Sequence, residues 1–253
     1  MEDVITEAAP PSRLLEEDLN NFTPPSPLLP SPFLLFSHSQ QPLKPSLLII
    51  AISSPSLSLF NNNFNPKTLI ASLILPELPL SLPNNTLDIH SLSSTVLIAA
   101  VRCSIPADRA YAVANVLLSD RIRPDSVIIL DSLQPMNHRG LLSSDRAVAF
   151  KLESLAERKR ADGEKKLLDG LEYYPSGSVV DGLGAAILGR CQVLNIRASL
   201  CVSWPQFDGS VVLLLKDLLR RCALPEFDFG LSGDDVLKYG KSKDHVFQSH
   251  LYI

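Results

Sequence analysis

The 253 residues are 45% hydrophobic and 20% charged, with a formal net charge of −4. A chain of this length can bury a sizeable core as one large domain or two small ones. The negative charge removes the electrostatic reason to expect nucleic acid or an anionic membrane, and 6% aromatic residues leave little for a base-stacking platform. The expected partner is protein or a small molecule.

Proline and glycine are unevenly spread. Nine of the 20 prolines precede residue 46, and all 11 glycines follow residue 139. Residues 1–45 therefore read as extended and weakly structured, with one short helical stretch at "SRLLEEDLNNF". Leu28, Leu29, Phe33, Leu34 and Leu35 are too apolar for a plain spacer and suit a segment lying along the folded body or along a partner. From Ser46 the chain alternates in type. "SLLIIAIS" (46–53), bounded by Pro45 and Pro55, suits a buried strand. "PKTLIASLILPEL" is expected to be a helix broken at Pro76, and "STVLIAAVRC" (94–103) a second buried strand.

"PADRAYAVANVLLS" (106–119) opens with Pro106 and Asp108, both favourable in a first turn, and sets Ala110, Val113, Ala114 and Leu117 on one face. "DSVIILDSL" (125–133) is a third strand, and "DRAVAFKLESLAERKR" is expected to be helical to about Asp162-Gly163. Ser178, three residues before Asp181, resembles a capping-box start for "SVVDGLGAAILGRCQVLN", whose buried stripe would be Val180, Leu183, Ile187, Cys191 and Leu194. "RASLCVSW" (197–204) is a fourth strand. "DGSVVLLLKDLLRRC" (208–222) turns Val211, Val212, Leu215, Leu218, Leu219 and Cys222 inward. Strands separated by amphipathic helices imply βαβ units. The expectation is a single α/β domain over 46–240 with a mostly parallel sheet covered by helices, and flexible tails at 1–45 and 241–253.

Cys103, Cys191, Cys201 and Cys222 lie in apolar stretches without a C-x-x-C pair, as reduced core cysteines do, and no zinc spacing appears. "MEDVITEAAPP" has no long apolar run of a secretory signal. The aliphatic runs "LLIIAI" and "VVLLL" fall far short of the roughly 20 residues of a membrane span. A reduced, soluble, cytoplasmic protein is expected, with the nucleus also open to it and no membrane partner.

Phosphate chemistry is poorly supported. The first three strands contain no glycine, and "GAAILGRC" (184–191) has Walker-like spacing with Arg190 and Cys191 in place of the lysine and hydroxyl. It falls inside a helix, where Gly182, Gly184, Ala185 and Gly189 are better explained by close approach of a neighbouring element. In "LDSLQPMNHRG" (130–140), Asp131 stands at the carboxyl end of a strand with His138 and Arg139 in the next loop, the edge where α/β sheets bind ligands. The competing reading is a loop whose aspartate caps something and whose His138 and Arg139 are solvated. It is favoured because no nucleophile stands nearby at a recognisable spacing and no G-x-S-x-G occurs. The basic stretch "ERKRADGEKK" (157–166), with acidic residues interleaved, reads as a solvated helix end and loop.

The chain ends in Ser249, His250, Leu251, Tyr252 and Ile253. Hydrophobic–tyrosine–any residue with a free carboxylate is similar to the HbYX tails of proteins that dock on the proteasome core particle. "DGLGAAILGRCQVLNIRASLCVSW" (181–204) resembles the helix–strand unit of the proteasome assembly chaperone 1 family. The likeness, to a plant-type member, is clear over roughly 124–204 and at the tail, weak over 45–123, and absent from the proline-rich start. It implies a non-catalytic α/β chaperone without cofactor or metal. It further implies a heterodimer with proteasome assembly chaperone 2 that promotes α-ring formation, limits wrong ring dimerisation and docks on the α subunits. By the same resemblance Ile253 supplies the carboxylate for a pocket lysine, Tyr252 the ring and hydroxyl, and Leu251 the apolar contact.

A tail this short is weak. A charge-assisted bond contributes about 1.5–3 kcal/mol and burial of Leu251 about as much again, while ordering costs on the order of 1 kcal/mol per residue. Roughly millimolar binding remains, so a folded surface or a second tail must raise the effective concentration, with Gly240 to Lys243 as the swing. Three alternatives stand beside this reading. "HVFQSHLYI" suits a closing edge strand, Leu251 and Ile253 suit a PDZ groove, and Asp131 with the 138–139 loop suits a nucleoside- or nucleotide-processing enzyme.

Overall fold

The computed structural model describes residues 29–37, 42–61, 68–78, 86–143, 146–160, 166–206, 208–225, 227 and 229. Chain contacts separate Met1–Pro30 from Ser31–Ile253, and the architecture below is that of the second unit. Its elements in chain order are β1 (Phe33–Phe36), β2 (Leu47–Ala51), α1 (Ser54–Asn61), β3 (Thr68–Ile74), β4 (Leu87–Ser91), β5 (Val96–Val101), α2 (Ala107–Leu117), β6 (Ser126–Ser132), β7 (Val148–Glu153), α3 (Leu155–Arg158), β8 (Glu172–Tyr173), α4 (Gly182–Val193), β9 (Arg197–Trp204) and α5 (Gly209–Cys222).

One α/β sheet of nine strands runs β1-β3-β4-β5-β2-β6-β9-β7-β8. Its centre, β5-β2-β6-β9, is parallel and takes the four aliphatic runs legible in the sequence. Both faces of these strands are covered, which is why they are unbroken rather than alternating. Leu48, Ile50, Val127, Ile129, Ala198 and Leu200 face α2 and α4 on one side. Ile49, Ala51, Ile128, Leu130 and Cys201 face α1 and α5 on the other. The expected inward residues of α2 and α5 are all buried. Asp208 caps α5 by accepting from Ser210 N–H at 3.0 Å, and Arg220 and Arg221 lie in the last turn, where cations suit the helix dipole.

Wings that join this centre by antiparallel pairing flank it, with β8 added parallel to β7, and here two expected helices are strands. Thr68–Ile74 pairs antiparallel with both β1 and β4, burying Ala71 and Leu73. Its apolar run fits either period, and Thr68, Ile70 and Ile74 favour the pleated form. Residues 148–153 form β7, antiparallel to β9 from Val148↔Trp204 to Glu153↔Ser199. Ser154 then caps the single turn of α3, accepting from Glu157 N–H. β7 buries a lysine, whose ammonium lies 2.8 Å from Glu153 and 5.0 Å above the Tyr173 ring. Phe33–Phe36, within the proline-rich stretch, lies along the body as the outermost strand. β4 and the two-residue β8 had no counterpart among the expected elements.

Glu157 also departs from expectation. It is buried, not a solvated helix end, because Oε1 accepts from Leu167 N–H at 2.7 Å and Oε2 from Arg197 Nε at 2.8 Å. Such pairing is what lets a carboxylate leave water.

Candidate functional site

The parallel centre delivers Asp131 to the carboxyl end of β6, where the chain leaves the sheet and the first turn of α4 packs across it. Its backbone is fixed between strands: the carbonyl accepts from Ser203 Oγ of β9 at 3.1 Å. The carboxylate turns inward. Oδ1 accepts from Ser132 N–H at 2.8 Å, and Oδ2 lies so close to Gly184 that a Cβ there would stand 2.6 Å away. Of the small residues singled out in this helix, Gly184 is the one that permits a close approach, whereas a side chain at Gly189 or Gly182 meets nothing within 4 Å. The φ of Gly182, 65°, is instead the left-handed geometry that glycine tolerates.

Around Asp131 the loops close a cleft of about 150 Å³, walled by Asn137, Tyr174, Val179 and Asp181. Helix α4 starts later than the sequence suggested, because its expected caps are engaged elsewhere. Ser178 Oγ accepts from Arg139 N–H at 2.8 Å. Asp181 occupies the N-cap position without a side-chain cap bond and instead accepts from Asn137 Nδ2 at 3.0 Å. Val179 N–H donates to the Asn137 carbonyl at 2.8 Å, and Tyr174 Oη lies 3.3 Å from the same oxygen. The loop after β6 and the segment before α4 are thus laced together.

Electrostatically the cleft weakens its acid. Burial raises the Asp131 carboxyl from 3.8 to about 6; the Ser132 bond opposes this, and the Asp181 charge adds to it. Burial also pushes the Cys201 thiol up to about 12, with Asp131 contributing, and burial alone lifts Cys191 to about 12. Neither sulfur is available as a thiolate near neutral pH. His138 is half-buried rather than free in solvent: its ring stacks 5.4 Å from Phe150 and lies tilted 5.6 Å from Tyr174. Arg139 is exposed. The hydrogen bonds of Asp131 run to Ser132 and Ser203, not to His138 or Arg139, so the structure does not assemble the acid–base group that the enzymatic alternative requires.

Among the described residues no group of three or more His, Cys, Asp or Glu side chains is placed to hold a metal ion. No helix among them is long and apolar enough to cross a membrane. Asp181, Asn137 and Tyr174 complete the cleft and were not foreseen. Only Asp181 carried a signal, as a presumed cap, since the three come from different loops. Leu251, Tyr252 and Ile253 lie outside the described residues.

Comparison with solved structures gives the same architecture. Pyrococcus furiosus PbaA, described as an archaeal homolog of proteasome-assembly chaperone, matches with a TM-score of 0.56 and 14% identity, covering 83% of this chain and 87% of that one. Pyrococcus furiosus PbaB, an archaeal proteasome activator, matches with a TM-score of 0.56 and 12% identity over 83% and 95% of the two chains. A protein of unknown function from Thermoplasma acidophilum reaches 0.55 at 18% identity over 78% and 83%. The chain shares their fold. No family model matches the sequence, and no curated protein does. The similarity is one of chain path, covering the α/β unit almost end to end in PbaB.

Proposed function

We propose that this protein is a non-catalytic chaperone of 20S proteasome assembly. It pairs with proteasome assembly chaperone 2, promotes α-ring formation, and docks on the α subunits through Leu251, Tyr252 and Ile253 at the end of the 241–253 tail. The observation that carries this reading is the shared fold of PbaA, a named homolog of proteasome-assembly chaperone, in a chain that also ends in hydrophobic–tyrosine–residue–carboxylate. Fold and tail are independent features, and neither alone specifies the function.

The chemistry of the cleft supports the same direction. A carboxylate pushed toward neutrality, thiols held protonated and a histidine packed in one cluster with Phe150 and Tyr174 make a packed corner rather than a reaction centre. A chaperone that acts before the mature particle forms would work where subunits are made, in the cytoplasm, with the nucleus as a second site. Native purification of the tagged full chain from fresh lysate tests the proposal. α subunits and half-assembled rings should co-purify together with a second chaperone of the same fold. Recovery of the protein free of all proteasome subunits would remove it.

A further inference from the structure

The amino edge of the parallel strands carries a second feature, away from the Asp131 cleft and independent of the tail. Here the chain leaves α2 through Leu118–Pro124 and leaves α4 through Leu194–Ile196, and the two turns enclose a groove of about 370 Å³. Its floor is aliphatic: Leu118 and Ile122 are each 1% exposed. Its rim is not covered, with Leu194 40% exposed and the neighbouring Val193 77% exposed. An apolar surface that continues from a groove onto an open rim suits a polypeptide, which brings its own cover. A free small molecule would need the enclosure this groove lacks.

Charge narrows the occupant further. Arg190, in the last turn of α4, lines the groove, and its Nε is shielded from solvent with no hydrogen-bond partner among the described residues. Arg123 lines the other side and is bonded to Asp120. Asp120 therefore answers chiefly to Arg123, with Arg190 a lesser influence on it. A shielded guanidinium N–H without an acceptor is an unmet donor at the edge of an apolar floor. Its complement is a carboxylate next to an aliphatic side chain.

We propose that the groove between the carboxyl-terminal ends of α2 and α4 binds a partner polypeptide by an aliphatic side chain on its Leu118–Ile122 floor and an adjacent carboxylate on Arg190. If Arg190 served only the dipole of its own helix, any preference for a charged over a neutral peptide would come from Arg123 and would survive Arg190→Gln.

The test uses the full chain with isoleucine and leucine methyl groups labelled for NMR. It is titrated with acetyl-Leu-Glu-Leu-amide and, separately, with the Gln counterpart. The expected result is that methyls of Ile122, Leu194 and Ile196 shift together. The Glu peptide should bind about tenfold more tightly than the Gln peptide, as a charge-assisted bond exceeds a neutral one. Arg190→Gln should bring the two peptides to equal affinity without changing the melting temperature. Equal binding of the two peptides to the wild-type protein, shifts confined to other surfaces, absence of any shift, or a Glu preference that survives Arg190→Gln would each overturn the proposal. Should Arg190→Gln fail to fold, equal binding of the two peptides to the wild-type protein still overturns the proposal.

Discussion

Replacing Asp131 by asparagine should stabilise the protein at and above neutral pH and leave it nearly unchanged in acid. In the folded protein the Asp131 carboxyl is raised from 3.8 to about 6, chiefly by burial. Between those values the folded protein keeps a proton that the unfolded chain has released, so stability falls as pH rises through the window. The stabilising term is fully present below about pH 3.8 and gone above about pH 6. At about 1.36 kcal/mol per pH unit the whole term is on the order of 3 kcal/mol. An amide at this position is neutral at every pH and keeps an oxygen for Ser132 N–H. The Asp131→Asn variant should therefore match the wild type near pH 4 and exceed it at pH 8 by up to that amount. For a chain of this size that is a melting difference of about 6–12 °C. Taking the difference between the two proteins cancels other titrating groups common to both. Thermal unfolding of both proteins across this range measures it. A melting difference that is the same at both ends, or a wild type that is the more stable at pH 8, would refute the account of Asp131.

Three further outcomes follow from the same geometry. Glu157→Ala removes the acceptor of Leu167 N–H and one acceptor of Arg197 and should cost about 1–3 kcal/mol in urea unfolding; no measurable loss would mean the pair is idle. Gly184→Ala should destabilise by about 1–3 kcal/mol through contact with Asp131, although alanine is the better helix former. The same change in an Asp131→Ala background should be neutral or favourable, and additive losses would disprove the contact. Cys191 and Cys201, with thiols at about 12, should resist a thiol reagent at pH 8 until urea unfolds the protein. Labelling of either in the native state at the rate of a peptide thiol would contradict their burial.

The parallel centre was legible because its strands are covered on both faces and so are written as aliphatic runs between breakers. Helices α2 and α5 announced themselves by period: every residue expected to face inward is buried, and Arg109 and Gly209 are buried beside them. The wings were not legible in the same way. "TLIASLI" has apolar residues at spacings that fit a helix or a strand, and only its partners β1 and β4 decide. "VAFKLE" hides its pleat because the residue it buries most deeply is Lys151, made tolerable by Glu153 and Tyr173 from the same edge. At the cleft, Asp131 was found by its place at a strand end, and of Gly182, Gly184, Ala185 and Gly189, where close packing was expected, Gly184 shows it while Gly182 and Gly189 face open space. The weakened acidity of Asp131 was not legible, since it depends chiefly on burial by a helix some 50 residues away and then on Asp181. His138 misled for the same reason: its ring neighbours Phe150 and Tyr174 come from other parts of the chain.

The central claim is that the chain acts on the proteasome α ring through its final three residues. Its most direct test is a native pull-down of α subunits with three forms of the protein: intact, ending at His250, and Tyr252→Ser. The account predicts capture by the intact protein and loss with both altered forms, while all three melt at the same temperature. Equal capture by all three would contradict the docking role of Leu251, Tyr252 and Ile253, and capture by none would contradict the chaperone reading itself.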